Sequence, residues 1–140
     1  MSQVMESGTD ATTVVDEYDA IRNTVQMCLD GEATGDVDKL RAAFHPDARM
    51  FGSLAGQRYD VPITELFDLA GSAPADTGRY RSRILSVQQT GDAAFVSVAE
   101  EGYWGTVSFV DYLSLATIDG QWTIVNKLFA HTQGEPPDFD

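Results

Sequence analysis

From Tyr80 to Ala130 the chain is made of long segments rich in Val, Ile, Phe, Tyr and Thr, separated by Gly91-Asp92, by Gly102 to Gly105, and by Asp119-Gly120. β-Branched and aromatic residues favour extended backbone, and short Gly/Asp pairs favour tight reversals between antiparallel neighbours. The spacing predicts strands over about 80–89, 93–103, 106–118 and 121–130. A meander of this kind needs one face covered by apolar partners, and the residues before Tyr80 must supply them.

They carry helical patterns. Thr13 with Asp16 forms an N-cap signature, and Val14, Tyr18, Ile21, Val25 and Cys28 follow as one helical stripe that Gly31 ends. Cys28 on that stripe reads as a buried, inert thiol rather than a nucleophile. Asp36 caps a second helix bearing Val37, Leu40 and Phe44, closed by His45-Pro46 because the residue before proline avoids helical angles. "DARMFGS" (47–53) reads as a short strand. Asp60 and Pro62 open a third helix with Ile63, Leu66, Phe67 and Ala70 inward, stopped by Gly71. The expected fold class is α+β, with three N-terminal helices packed on the concave face of a curved antiparallel sheet. The expected organisation is a flexible arm over 1–12, one domain over 13–131, and an acidic tail over 132–140. A chain of 140 residues fits a single core.

The formal charge is −13, from 15 Asp and 7 Glu against 7 Arg and 2 Lys. Phosphate recognition needs clustered cations, so nucleic acid and anionic membrane surfaces are not expected partners. An Asp-rich, Lys-poor surface fits a protein working in concentrated salt, where screening relieves self-repulsion. No apolar run reaches the ~18 residues of a membrane span, and no signal peptide is visible. One cysteine excludes an internal disulfide and fits a cytoplasmic setting.

Taking the three hairpin turns as two-residue reversals sets a strand register, favoured over a three-residue last turn because the longer turn would mix the two faces. Leu115 then faces Ile124, Leu113 faces Asn126, Asp111 faces Leu128, Val98 faces Phe109 and Leu85 faces Val98. One face collects Leu85, Val87, Val96, Val98, Phe109, Leu113, Leu115, Trp122, Ile124 and Leu128. On this register Asn126 looks inward and Lys127 outward, so Lys127→Met is expected to leave the interior untouched. Asp111 shares the apolar inner face, where an unpaired charge costs several kcal/mol. A proton, a partner, water or a ligand must answer it. Arg83 falls opposite Glu100, as a cross-strand ion pair.

With "GDVDKLRAAFHPDARMFG" after a long first helix and a meander ending "FVDYLSLATIDGQWTIVNKLF", residues 14 to 130 resemble the nuclear transport factor 2-like superfamily. That superfamily includes ketosteroid isomerases, polyketide cyclases of the SnoaL type and scytalone dehydratase. The chain is most similar to the small uncharacterised proteins labelled "putative lumazine-binding". The resemblance implies a cone of curved sheet and helices with an internal pocket, paired into homodimers across the outer sheet face near Tyr112, Ser114, Val125 and Lys127. It also places Asp111 where the isomerases hold the protonated acid of their oxyanion hole. Gly52 stands at the position of their general-base aspartate, and Cys28 or an apolar neighbour at that of their tyrosine, so steroid-type proton shuttling is not expected.

The candidate catalytic residues are therefore Asp111 and His45, the latter either a structural helix terminus or a base at the pocket rim. The candidate ligand-binding residues are Tyr18, Met50, Trp104, Leu113, Asn126 and Leu128. Trp104, in a turn, could cover a pocket mouth or a dimer rim. Two histidines without ligand spacing, and no Gly-rich phosphate loop, give no reason to expect a metal or cofactor. Two readings remain. One is a domain with an apolar pocket that binds a small ligand or a protein, or dimerises, without chemistry. The other is an isomerase, cyclase or dehydratase with Asp111 as acid.

Overall fold

The computed structural model describes residues 13–138, so the expected flexible arm lies outside the described residues. Three helices, α1 (Val14–Thr34), α2 (Val37–Ala43) and α3 (Thr64–Ser72), accompany six strands. These are β1 (Phe44–Leu54), β2 (Gln57–Pro62), β3 (Asp76–Thr90), β4 (Ala93–Tyr103), β5 (Val107–Ile118) and β6 (Gln121–Gln133). They form one curved open sheet in the order β2-β1-β6-β5-β4-β3. All neighbours are antiparallel except β1 and β6. The fold is α+β, as the sequence predicts.

Thr13 caps α1 with the expected reciprocal box, its hydroxyl accepting from the Asp16 amide. Gly31 does not end the helix, which runs another turn to a left-handed cap at Gly35. Its role is close approach, because a Cβ on Gly31 would lie 2.8 Å from Leu40 Cγ of α2. The extra turn brings Glu32 into the interior, one turn past Cys28 on the same stripe. Tyr18, near the N-terminal end of that stripe, is not buried with it. It is half exposed, with the Arg22 guanidinium 5.7 Å from its ring centroid.

The second helix ends before Phe44, and β1 begins there rather than at Asp47, running alongside β6. The segment expected to open α3 is instead β2, paired to β1 through Arg49–Pro62 to Leu54–Gln57. Pro62 ends that strand without needing a donor, and α3 starts after Ile63, with Leu66, Phe67 and Ala70 buried as expected. The core packs Ile21, Val25, Leu29, Leu40 and Ile63 from the helical side against Val96, Val98, Leu113, Leu115 and Ile124 of the sheet. The Trp122 indole donates to Glu17 and its carbonyl accepts from Thr24, tying α1 to β6.

Gly91-Asp92 and Asp119-Gly120 are two-residue turns, bounded by Thr90–Ala93 and Ile118–Gln121 pairs. The β4–β5 connection is longer, closing at Tyr103–Val107, and places Glu100 opposite Phe109 and Val98 opposite Asp111. This moves the pairing by an even number of residues and leaves each face as expected.

The decisive difference lies beyond the last turn. Leu115 pairs with Ile124, but Ser114 pairs with Asn126, so Val125 is an extra residue on β6. Such a bulge reverses the facing of every later side chain on its strand. Lys127 and Phe129 point in, while Leu128 is half exposed on the outer face and Asn126 opposes Ser114 there. The expected inward Asn126 and Leu128 and the outward Lys127 are all corrected by this one residue. A second bulge, between Ile84 and Ser86, turns Leu85 out to solvent. The same region sets Ser82, not Arg83, opposite Glu100, so no Arg83–Glu100 pair forms across the strands.

Candidate functional site

Four ionisable side chains from four elements converge under the sheet's inner face. Glu32 comes from α1, Glu100 from β4, Asp111 from β5 and Lys127 from β6, each less than a tenth exposed. Lys127 Nζ donates to both Glu32 oxygens at 3.2 Å and lies 3.6 Å from Asp111 Oδ2. Glu32 also accepts from the Tyr103 hydroxyl at 2.7 Å and the Cys28 thiol at 3.2 Å. With four hydrogen bonds from three donor groups it is a fully satisfied carboxylate. Buried charge is tolerable only when paired and hydrogen-bonded in this manner.

Glu100 is different. The Tyr80 hydroxyl donates to its Oε2 at 2.7 Å, but Glu100 Oε1 and Asp111 Oδ1 have no other hydrogen-bond partner. Burial, then the charge of Asp111, pushes the Glu100 carboxyl well above the ordinary carboxylate range, and Asp111 is within its hydrogen-bonding reach. A proton on Glu100 donated to Asp111 therefore satisfies both oxygens. Among the acids of the cluster Glu100 is thus the one whose surroundings favour the protonated form. Burial opposes the ammonium, but Asp111, Glu32 and Glu100 outweigh it and raise Lys127 well above its usual value. Burial and the neighbouring acids also raise Cys28, Tyr80 and Tyr103. Neither a thiolate nor a free amine nucleophile is available here.

Oxygens of Glu32, Glu100 and Asp111 lie within 4.8 Å of one another, a spacing that could hold a cation. The Lys127 ammonium already occupies that role, and a divalent ion would have to displace it from Glu32.

Above the cluster opens a cavity of about 390 Å³ whose lining includes all four charged residues. Met50, Tyr59, Leu66, Leu69, Phe109 and Phe129 provide apolar walls, and Pro136 and Pro137 of the C-terminal segment also reach it. Trp104 is a wall residue. Its indole donates to the Ala73 carbonyl at 2.8 Å and packs edge-on to Tyr103 with centroids 4.7 Å apart.

Of the residues singled out from the sequence, Asp111, Met50 and Trp104 line this cavity. Leu113 is buried in the core without belonging to the lining, and Tyr18, Asn126 and Leu128 are also absent from it. His45 stands on β1 with its Nδ1 accepting from the Asp47 amide, likewise outside the lining. Gly52, which the resemblance sets against the isomerases' base, is pressed against Phe129, where a Cβ would lie 2.7 Å from the ring, so no larger side chain fits. Sequence reasoning missed Glu32, Glu100 and Lys127 as site residues. Only Asp111 and Glu100 stood on inward positions in the sequence; Glu32 lies beyond Gly31, where the helix was expected to end, and Lys127 beyond a bulge that the register did not contain.

The family model described as "Putative lumazine-binding" matches residues 16–130. Among curated proteins, Aldolase FrzH from a Cladobotryum species is 27% identical over 113 residues, covering 81% of this chain and 90% of that protein. An NTF2-like protein of unknown function from Methylobacillus flagellatus superposes with a TM-score of 0.79 at 31% identity, covering 89% of this chain and 99% of that one. Another of unknown function, from Shewanella baltica, gives 0.78 at 27% identity over 87% and 98% of the two chains.

Proposed function

Because the chain belongs to the "Putative lumazine-binding" family, within the nuclear transport factor 2-like superfamily, we propose that its cavity is a binding site for a small, largely apolar molecule. The observation that carries this is the combination of apolar walls with a buried polar end in about 390 Å³. Pockets of this size and character enclose small ligands, with a few polar groups fixing orientation. Met50, Trp104, Phe109 and Phe129 hold the apolar body, and Asp111 and Lys127 meet its polar head. The test is protein-observed NMR with a set of bicyclic aromatic fragments. Shifts concentrated on the cavity residues, and lost in Met50→Trp, are expected. Shifts scattered over the surface would refute the reading.

A second reading, acid–base chemistry with Asp111 participating, is favoured by the Glu100–Asp111 pair and by similarity to a protein named as an aldolase. In it Glu100 carries the proton that Asp111 receives. An amine route through Lys127 is disfavoured by its raised basicity. Turnover lost in Asp111→Asn with binding retained would support this reading, and unchanged turnover would end it.

The same proposal includes a homodimer through the outer sheet face. Phe95 and Tyr112 stack there with centroids 5.8 Å apart, and both are half exposed, as is Leu128. Exposed apolar area of this kind favours a partner surface. Of the four residues expected at this contact, Lys127 is replaced by Leu128. Light scattering should show a dimer that Phe95→Asp converts to monomer, and a monomeric parent at micromolar concentration would refute the dimer.

A further inference from the structure

We propose that the cavity selects ligands bearing a positive charge, taking an apolar aromatic amine whose ammonium answers the surplus negative charge at Asp111. This rests on the cavity being the ligand site. It goes further by naming the ligand's charge class.

The surplus follows from a count of charges and contacts. Three carboxyl groups and one ammonium are buried together. Lys127 directs two hydrogen bonds to Glu32 and stands farther, at 3.6 Å, from Asp111. Three acids thus share one cation, and a single proton held between Glu100 and Asp111 still leaves them in excess beneath an apolar chamber. Asp111 is the less well partnered of the two acids the lysine touches, and its Oδ1 accepts no hydrogen bond from any N–H or hydroxyl. Asp111 borders the cavity yet is only 2% exposed, so bulk solvent screens it little. In such surroundings an opposite charge interacts much more strongly than at the surface.

The rest of the lining adds to the same sign. Glu65 also borders the cavity, and no arginine does. An anionic ligand would enter against Glu32, Asp111 and Glu65, with an ammonium already committed to Glu32. A neutral ligand would gain the apolar contacts but leave the surplus charge in place. An ammonium group on an aromatic body gains both, with the aromatic walls Tyr59, Trp104, Phe109 and Phe129 accommodating the ring.

The experiment uses three probes that share one ring system: tryptamine, its alcohol counterpart tryptophol, and indole-3-propionate. Dissociation constants are measured by calorimetry on the full chain at neutral pH, in 0.1 M and 1 M salt. Tryptamine is expected to bind at least tenfold more tightly than tryptophol, with the propionate weakest, and the order should persist at 1 M salt because the attracting charge is buried. In Asp111→Asn the tryptamine-to-tryptophol ratio should fall to near one. Asp119→Asn removes an equal charge at the β5–β6 turn, away from the cavity, and should keep the ratio. Equal binding of tryptamine and tryptophol by the parent protein overturns the inference while leaving the cavity reading standing. A preference that survives Asp111→Asn, or that falls equally in Asp119→Asn, also overturns it, since the whole acidic surface would then be responsible. Failure of all three probes to bind at millimolar concentration counts against both. The parent protein's own probe series decides the matter should Asp111→Asn fold poorly.

Discussion

Lys127 holds together groups that would otherwise repel one another. It stands 3.2 Å from each Glu32 oxygen and 3.6 Å from Asp111, with little solvent to screen any of them. Removing one member of a buried charge cluster leaves the others uncompensated, which typically costs about 3–5 kcal/mol. Lys127→Met should therefore lower stability by that order in urea denaturation, rather than leave the interior untouched. A change below about 1 kcal/mol would mean that the ammonium is not needed. Glu100 supplies a pH test. Its folded carboxyl is held above its unfolded value of about 4.3. The neutral form is thus favoured by folding, and its contribution is fully present below pH ~4.3 and lost as pH rises through the raised folded value. Over that window the parent should lose stability relative to Glu100→Gln, which cannot ionise. Parallel stability curves for the two proteins would contradict a protonated Glu100.

Among the elements, β6 is where one residue redirects a surface. Val125 sits outside the ladder between the Leu115–Ile124 and Ser114–Asn126 pairs. Deleting it should regularise the ladder without changing the facing, because Asn126 then follows Ile124 on the outer side and Lys127 still points in. Glu32 and Asp111 keep their cation, so the cost should be about 1 kcal/mol or less. Exchanging the two residues, as Asn126→Lys with Lys127→Asn, sends the lysine outward and should cost about 3–5 kcal/mol. Circular dichroism melts of the two variants make the comparison. A deletion variant as damaged as the exchange would show that the facing of the lysine is not what the strand contributes to stability. The added last turn of α1 belongs with this device, since it carries Glu32 to the meeting point and depends on Gly31 admitting Leu40.

At the level of the whole molecule, a formal charge of −13 on 140 residues makes the folded surface self-repelling. The Debye length falls from about 10 Å at 0.1 M to about 3 Å at 1 M salt, so repulsion between exposed acids is screened while the buried cluster is much less affected. The melting temperature should rise from low salt to several molar. A flat or falling trend would mean that surface repulsion is not limiting and would remove the basis for a high-salt setting. Exposed pairs such as Arg49–Asp60, at 3.0 Å, weaken under the same conditions, but each contributes less than about 1 kcal/mol.

Local signals in the sequence determined the element types: the Thr13–Asp16 cap, the Ile21–Val25–Cys28 stripe, and the two-residue turns at Gly91-Asp92 and Asp119-Gly120. Each depends on neighbours a few residues apart, where backbone preference and apolar periodicity decide the outcome. They placed Val96, Val98, Leu113 and Ile124 in the core and Asp111 on the inner face. Strand β2 was not legible, because Asp60 and Pro62 equally suit a helix start. The facing of Lys127 was settled by tertiary structure. An extra residue inside a strand leaves no mark when Val125 is as good a strand former as any neighbour. Its justification comes from Glu32, 95 positions away, and from Asp111 across the sheet. Alternation alone sends a lysine outward; the electrostatics of three carboxyl groups, assembled only in the folded chain, brought this one inside.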